Sequence, residues 1–361
     1  MKRKDLKRKG AAAIAAVLAA GMVIPSMAFA AGPAVRVGSD SSVQMSSEPE
    51  AVYVNSYDGA VRSESFNDNW KFYLGDASGA EEPGFNDSTW EQVNLPHDYS
   101  IEQDYSTSME AESGYLPGGT GWYRKNFTLD ESAAGKQIRI DFGGVYMNST
   151  VWVNGVQVGT HPYGYTPFSY DITDYVNLDG DNVITVKVDH QTPSSRWYSG
   201  SGIYRSVDLT ITDPVHVDLY GTKIETPDLA TEKGGSVTTN ISTTIANDSD
   251  EAKSISLTHT IFPKDGDVSD SIGTVTTEAQ EVTAGSSADI NAVVQANAPI
   301  LWSTENPQLY TVRTEVKIGD QVVDTYDTDY GFRYFNFDAD TGFSLNGENM
   351  KLKGVCMHHD Q

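Results

Sequence analysis

The chain has 361 residues, with 25 Lys and Arg against 50 Asp and Glu, so its formal net charge at pH 7 is −25. An acidic surface of this size repels phosphate backbones and anionic lipid headgroups, so neither nucleic acid nor a membrane surface is an expected partner. The single cysteine, Cys356, cannot form an internal disulfide, and we expect it to be a small buried apolar residue. No cluster of Cys and His has metal-ligand spacing, so no metal site is predicted.

The first thirty residues have the pattern of a secretory signal peptide. A basic start is followed by an apolar run from Ala11 to Pro25 and by the small-residue cleavage site Ala28-Phe29-Ala30. The alternative, an uncleaved anchor, is disfavoured because the run is short and rich in Ala and Gly. We therefore predict a signal peptide over 1–30, a secreted or cell-surface protein, and no membrane contact after cleavage. The polar residues 31–50 predict a flexible leader.

Residues 51–213 are predicted to form a jelly-roll β-sandwich. Short segments alternate with period two or are rich in β-branched residues, at Ile138–Phe142, Thr150–Val153 and Val183–Val188. Asn154-Gly155 and Asp179-Gly180 lie between such segments, and both predict hairpin turns. No useful window has helical periodicity, so the pattern favours two packed sheets.

Residues 214–333 are predicted to form a second, immunoglobulin-like β-sandwich. Asp213-Pro214 marks its start because proline cannot continue a central strand. The predicted strands include Val237–Ile245, Ser254–Ile261, Ser287–Val294 and Tyr310–Ile318.

Residues 334–361 begin a third unit. Gly342 to Gly347 predicts a strand and a turn, and Met350 to Val355 predicts a second strand. The predicted fold class of the whole chain is all-β.

Three groups of motifs carry a family resemblance. The first group, in the jelly-roll region, is Gly121-Trp122-Tyr123-Arg124, Phe142-Gly143-Gly144-Val145, Val151 to Gly155, His161 to Phe168 and Gly200-Ser201-Gly202-Ile203-Tyr204-Arg205. The second group is Pro307-Gln308-Leu309-Tyr310 with Gly331-Phe332-Arg333. The third group is Phe343 to Gly347 and Leu352 to Asp360. Together they resemble the β-galactosidases of glycoside hydrolase family 2 from about residue 60 onward. The resemblance implies a sugar-binding jelly roll, an immunoglobulin-like domain and the first strand of a truncated catalytic (β/α)₈ barrel over 334–361.

The resemblance implies a retaining glycosidase that cleaves terminal β-D-galactosides. Retaining enzymes use two carboxylates, one as nucleophile and one as acid/base. In the family both are glutamates on later barrel strands, and the acid/base follows an asparagine. This sequence contains no Asn-Glu pair. No catalytic residue is therefore assigned, both are expected beyond Gln361, and the chain alone is expected to be inactive.

Six residues are predicted to bind the galactoside or oligosaccharide substrate. His358 falls where the first barrel strand of the family ends, and barrel sites are built at strand ends. The resemblance implies that His358 contacts sugar hydroxyls, and the adjacent His359 and Asp360 are further candidates.

Two jelly-roll segments supply the other candidates. The resemblance implies that Asp98 reaches the sugar from its loop; the alternative is an Asx turn. Trp197 offers a ring for stacking on a sugar and Arg196 a guanidinium for a site carboxylate, whereas the alternative packs Trp197 inside the sandwich. Some galactosidases of the family hold sodium with an aspartate near the position of Ser195, so the serine counts against that ion site. No cofactor is assigned to this chain; the resemblance leaves room for a divalent or sodium ion in the rest of the barrel.

Two other functions stay open. A β-glucuronidase of the same family would need basic residues for the uronic carboxylate. A non-catalytic carbohydrate-binding or adhesive protein would have no need for the barrel strand, which alone would leave an unpaired apolar edge. The oligomeric state is not predicted.

Overall fold

The computed structural model describes residues 55–57, 61–232 and 235–356. The predicted signal peptide and leader lie outside these residues, as do His358, His359 and Asp360. The described part is all-β, as predicted; its helical segments are single 3₁₀ turns at Ala111–Ser113, Glu131–Ala133, Thr173–Tyr175 and Val268–Asp270. Among the described residues, no helix has the length and apolar character needed to cross a membrane.

The first sandwich is a jelly roll of two sheets. Its strands are β1 Asn55–Tyr57, β2 Ser63–Ser65, β3 Trp70–Leu74, β4 Glu91–Val93, β5 Gly119–Leu129, β6 Gln137–Phe142, β7 Ser149–Val153, β8 Val156–His161, β9 Phe168–Asp171, β10 Asn182–His190 and β11 Val207–Thr212. One sheet has the order β4-β3-β5-β10-β7-β8, with β1 parallel to β5, and the other has the order β2-β11-β6-β9. Strands β6, β7 and β10 contain all three segments predicted from the sequence.

The jelly-roll core is aromatic. Phe66 lies edge-on to both Trp70 and Phe127, with ring centroids 5.8 and 5.2 Å apart. All three side chains are fully buried, and each stabilises the fold by about 1.5–3 kcal/mol through removal of apolar surface from water. Strand β6 adds aliphatic and aromatic side chains to the same core. Its residues alternate between core and outer face, so Ile138, Ile140 and Phe142 are buried.

The hairpin prediction was right at one turn and wrong at the other. Asn154-Gly155 joins the paired strands β7 and β8, with φ of 50° and 82°, the left-handed values that such a turn requires. Asp179-Gly180 instead precedes β10, and the strand before it, β9, belongs to the other sheet. The turn residues are therefore part of a crossing between sheets and not of a hairpin.

The second sandwich is immunoglobulin-like. Its strands are β12 Val215–Glu225, β13 Ser236–Asn247, β14 Lys253–Pro263, β15 Gly273–Thr276, β16 Gln280–Val282, β17 Ser286–Asn297, β18 Tyr310–Ile318 and β19 Gln321–Tyr330. They form the sheets β12-β13-β17 and β15-β14-β18-β19, with β16 beside β14. Strands β11 and β12, on either side of Asp213-Pro214, lie in different sheets.

A half-buried arginine connects the two sandwiches. Arg62, just before β2, forms an ion pair with Asp324 on β19. Its other terminal nitrogen donates to the carbonyl of Val217 at 2.5 Å, and the amide of Val217 donates to Asp324 at 2.8 Å. The guanidinium also lies 4.7 Å from the ring centroid of Tyr326. This group of hydrogen bonds fixes the jelly roll against β12 and β19.

The last described segment is a small sheet followed by exposed chain. Strands β20 Phe335–Asp338, β21 Gly342–Leu345 and β22 Glu348–Asn349 pair in sequence order, so the strand and turn predicted at Gly342 to Gly347 are confirmed.

The strand predicted at Met350 to Val355 is not formed, since residues 351–356 carry no strand and are exposed. Cys356 is exposed and not buried as expected. The described residues offer this segment no neighbouring strand, and without one its backbone gains no ladder hydrogen bonds.

Candidate functional site

Two loops meet at one end of the jelly roll. Strands β5 and β10 are antiparallel, with Gly119 opposite His190, so the loop before β5 and the loop after β10 leave the sheet side by side. Their backbones are joined by hydrogen bonds from His97 N to Ile203 O, 2.8 Å, and from Tyr99 N to Ser201 O, 3.0 Å. Asp98 and the segment that contains Arg196 and Trp197, the two candidate segments of the jelly roll, are thereby brought together.

The carboxylate of Asp98 is held by three donors. Oδ1 accepts from the amide of Ser100 at 3.0 Å, which is an Asx turn, and from the amide of Ser201 at 2.8 Å. Oδ2 accepts from the hydroxyl of Tyr198 at 2.5 Å. A carboxylate has about four lone-pair sites, so Asp98 keeps acceptor capacity for a ligand hydroxyl. The Asx turn and the binding role are therefore compatible.

Tyr198 remains a hydrogen-bond donor over the physiological pH range. Burial, and then the hydrogen bond to the charged Asp98, raise the pKa of the Tyr198 hydroxyl well above its usual value. The phenol thus keeps its proton and fixes one oxygen of Asp98.

Glycine permits the close approach of these loops. A side chain at Gly200 would place its Cβ 2.7 Å from Oδ2 of Asp98, and the φ of Gly200 is +72°. A Cβ at Gly202 would lie 2.3 Å from the hydroxyl of Tyr123. The Gly-Ser-Gly sequence is therefore required by the packing of the loops around Asp98.

A network of hydrogen-bonded polar side chains holds the two site loops in place. His190 is buried, with Nδ1 2.5 Å from Oγ of Ser201 and Nε2 2.8 Å from Oγ of Ser194. Oγ of Ser201 lies 2.5 Å from Oγ of Ser100, and Oγ of Ser194 lies 3.1 Å from the hydroxyl of Tyr146. Burial lowers the pKa of His190, so the imidazole is neutral at pH 7. These residues fix the site loops without adding charge.

Trp197, which precedes Tyr198 in the same loop, belongs to a group of contacting aromatic side chains. The side chain of Trp197 is 47% exposed, and its Nε1 donates to the hydroxyl of Tyr165 at 3.1 Å. The ring of Tyr165 lies edge-on to Tyr146 and Tyr163, at 5.2 and 5.6 Å between centroids. Trp197 thus does not pack inside the sandwich, and its ring is accessible to a ligand.

The side chain of Arg196 meets no site carboxylate among the described residues. Its side chain is exposed, and it makes no ion pair with a carboxylate of the described residues within 4.0 Å. The guanidinium is therefore available to an anionic group of a ligand or of another part of the protein. Ser195 is occupied locally, since its hydroxyl donates to the carbonyl of Trp197 at 2.5 Å.

Sequence reasoning missed four residues that complete the site. Tyr198, Ser201, His190 and Tyr165 contact the predicted residues or support them. Three of them lie inside or beside the quoted motifs, but their partners are distant in sequence, so only the folded chain shows the contacts. Among residues 55–57, 61–232 and 235–356, no three His, Cys, Asp or Glu side chains are placed to hold a metal ion.

Comparison with known families agrees with this architecture. The family described as glycosyl hydrolases family 2, sugar binding domain, matches residues 63–214. The family described as glycosyl hydrolases family 2 matches residues 216–333. The two matches meet within the connection from β11 to β12 and together span most of the chain.

The names of individual relatives give two different activities, β-galactosidase and β-glucuronidase. The β-galactosidase BoGH2A of Bacteroides ovatus is 43% identical over 82% of this chain and 34% of its own length. A solved glycosyl hydrolase family 2 member from Bacteroides cellulosilyticus is 38% identical, with a TM-score of 0.76 over 83% of this chain and 39% of its own. The solved β-glucuronidase of Bacteroides uniformis is 32% identical, with a TM-score of 0.71 over 83% of this chain and 36% of its own.

The chain thus spans between a third and two fifths of the length of these relatives. Both matched families, the relatives and the two sandwiches agree with the resemblance carried by the motifs. The chain belongs to glycoside hydrolase family 2.

Proposed function

We propose that the protein containing this chain is a secreted, retaining glycosidase that cleaves terminal β-D-galactosides. The observation that carries the proposal is Asp98: a fixed carboxylate with acceptor capacity to spare, bonded to Tyr198, which follows the exposed Trp197 in the same loop. Such a pair suits an uncharged sugar, whose hydroxyls donate to the carboxylate while an apolar face covers the ring. The 43% identity to a protein named β-galactosidase supports the same sugar.

The chemical step is assigned to residues outside this chain. Hydrolysis with retention needs a nucleophilic carboxylate and an acid/base carboxylate about 5–5.5 Å apart. The proposal puts both in the part of the relatives' length that this chain does not match. Asp98, Trp197, His358, His359 and Asp360 would bind and orient the sugar, the last three from the end of the first barrel strand.

A β-glucuronidase is the second candidate, and one observation favours it. Arg196 is exposed beside the site and has no carboxylate partner among the described residues, so its guanidinium is free to bind a uronic carboxylate in bidentate fashion. Relatives with this activity in their names include the B. uniformis enzyme.

Kinetics of the full-length enzyme and of one variant distinguish the two candidate functions. We expect kcat/KM for nitrophenyl β-galactoside to exceed that for nitrophenyl β-glucuronide, and Arg196→Ala to leave that ratio unchanged. A preference for the glucuronide that Arg196→Ala abolishes would replace the galactosidase proposal. Turnover of neither substrate would favour a non-catalytic carbohydrate-binding protein.

Secretion is a separate part of the proposal. It rests on the basic start, the apolar run and the Ala28-Phe29-Ala30 site of residues 1–30. The N-terminal sequence of the protein recovered from the culture medium or cell surface should begin after Ala30; an intact Met1 in the cytoplasmic fraction would contradict it.

A further inference from the structure

A groove separate from the Asp98 site opens beside β3 and β4. Its volume is about 340 Å³, and its walls include Tyr73, Leu74, Trp90, Glu91 and Glu102. We infer that this groove is a second carbohydrate-binding site, which takes a neutral oligosaccharide and performs no chemistry on it.

The aromatic side chains of the groove form a fixed platform. The ring of Tyr73 stacks on Trp90, with 5.5 Å between centroids and 21° between planes, and Trp90 lies edge-on to Phe85 at 5.6 Å. Tyr73 is 41% exposed and the adjacent Leu74 is 38% exposed. Because the rings are already held by one another, a ligand that covers them has little side-chain entropy to remove. The apolar face of a sugar ring matches such a surface.

The polar side of the groove offers both acceptors and donors. Glu91 is exposed and the side chain of Glu102 is 47% exposed; ionised carboxylates only accept, and Glu102 also lies 3.2 Å from Nε2 of His97. The donor group of Gln103 is occupied by three backbone carbonyls, which leaves its carbonyl oxygen as a further acceptor. The hydroxyls of Tyr73 and Thr89 can donate as well as accept. A ligand whose hydroxyls both donate and accept satisfies this arrangement.

The charge of the groove restricts the class of ligand. Of the described residues, two glutamates but no Lys or Arg line the groove, in a protein with a net charge of −25. Carboxylated or sulfated sugars are repelled from such a surface. The ligand is therefore a neutral glycan, in contrast to the uronic acid that Arg196 would accommodate at the other site.

The groove is independent of the proposed hydrolysis. Neither Asp98 nor Trp197 lines it, and the Asp98 carboxylate is directed to Tyr198 and Ser201. A glycan held here would keep the protein on a polymeric substrate while the other site acts on chain ends.

Isothermal titration of the 361-residue chain tests the inference. The probes are two neutral tetrasaccharides, β-1,4-galactotetraose and cellotetraose, and the anionic tetragalacturonate. We expect at least one neutral probe to bind, tetragalacturonate to bind about tenfold more weakly, and Tyr73→Ala to weaken neutral binding about tenfold, the equivalent of 1.4 kcal/mol. The matched control is Tyr220→Ala, since Tyr220 is 71% exposed on the immunoglobulin-like sandwich and should not affect binding.

Two further variants complete the test. Glu91→Lys, at an exposed position, should reduce the preference for neutral over anionic probes, whether or not Tyr73→Ala folds. Trp197→Ala should leave binding in the groove intact, since the ring is 47% exposed and does not line the groove, and this separates the groove from the proposed galactoside site. The inference is overturned if neither neutral probe binds, if folded Tyr73→Ala binds as the parent chain does, if Glu91→Lys leaves selectivity unchanged, or if Trp197→Ala abolishes binding.

Discussion

The jelly-roll sandwich buries Arg124 and Lys125 with several hydrogen-bond partners each, whereas the immunoglobulin-like sandwich buries His259 with one. Lys125 donates to the hydroxyl of Tyr57 and to two carbonyls, at 2.8–3.1 Å. Among the described residues, His259 forms one hydrogen bond, with the hydroxyl of Thr314 at 3.0 Å, and its Nε2 has no partner. The buried cations of the first sandwich thus have several hydrogen-bond partners each, whereas this histidine of the second has one. The comparison predicts where substitution and pH will act.

The largest effect is expected from Arg124. This side chain is 2% exposed and donates to Asp87, to Thr185 and to three loop carbonyls. Arg124→Met leaves those buried acceptors without their donor, so we expect the free energy of unfolding to fall by about 3–5 kcal/mol. Denaturant unfolding measures it.

The control is Arg313→Met in the other sandwich. Arg313 also forms a two-bond pair, with Asp327, but at the surface. We expect Arg313→Met to lower the free energy of unfolding by about 0–1 kcal/mol. Equal losses for the two arginines would mean that burial does not distinguish them.

The second effect is the pH dependence of the immunoglobulin-like sandwich. Burial lowers the pKa of His259 from 6.5 to about 4, so the unfolded chain takes up a proton below pH 6.5 while the folded chain does not. Stability is therefore complete above pH 6.5 and is lost as the pH falls toward 4, by about 3 kcal/mol in all.

Unfolding of His259→Leu at several pH values isolates this contribution. The difference in unfolding free energy between the parent and the variant should change between pH 6.5 and pH 4 and stay constant above. Parallel pH profiles for the two chains would show that His259 does not carry the effect.

The third effect concerns Tyr198 in the full-length enzyme. Tyr198→Phe removes one of the three donors that hold Asp98, so we expect KM for the galactoside to rise about tenfold with kcat little changed. Tyr330→Phe is the control, because Tyr330 also hydrogen-bonds a hydroxyl, that of Thr226, but on the other sandwich. A fall in kcat alone, or an equal effect of the control, would contradict the positioning role of Tyr198.

The smallest effect is expected from Trp197. Because the ring is 47% exposed, Trp197→Ala should change the free energy of unfolding by less than about 0.5 kcal/mol. The loss of stacking should raise KM by about three- to tenfold. Thermal unfolding and steady-state kinetics of the same preparation check both values, and a large loss of stability would instead assign Trp197 to the fold.

Local sequence patterns predicted strands well and connections less well. Strand β18 begins and ends at the predicted residues, Tyr310 and Ile318, because alternation of side chains is a local property. Asp179-Gly180 is a turn sequence, but whether its flanking strands pair depends on which sheet each joins, and that is decided by the whole sandwich. The predicted strand at Met350 to Val355 failed for the same reason, since a strand needs a neighbour.

The site was predictable only in part. Asp98, Arg196 and Trp197 were predicted from two jelly-roll segments, and the structure brings their loops together. Tyr198, which donates to Asp98, is separated from it by 100 residues, and no local pattern encodes such a contact. His358, His359 and Asp360 remain predictions.

The arginine bridge between the sandwiches has a consequence for folding. Arg62 and Asp324 are 262 residues apart in sequence, so their contact closes a long loop at a high entropic cost. Contacts of such separation are unfavourable until shorter-range structure has formed. We therefore expect the sandwiches to form first and to dock afterwards, with Arg62 as a late contact: its loss should accelerate unfolding and leave the folding rate nearly unchanged.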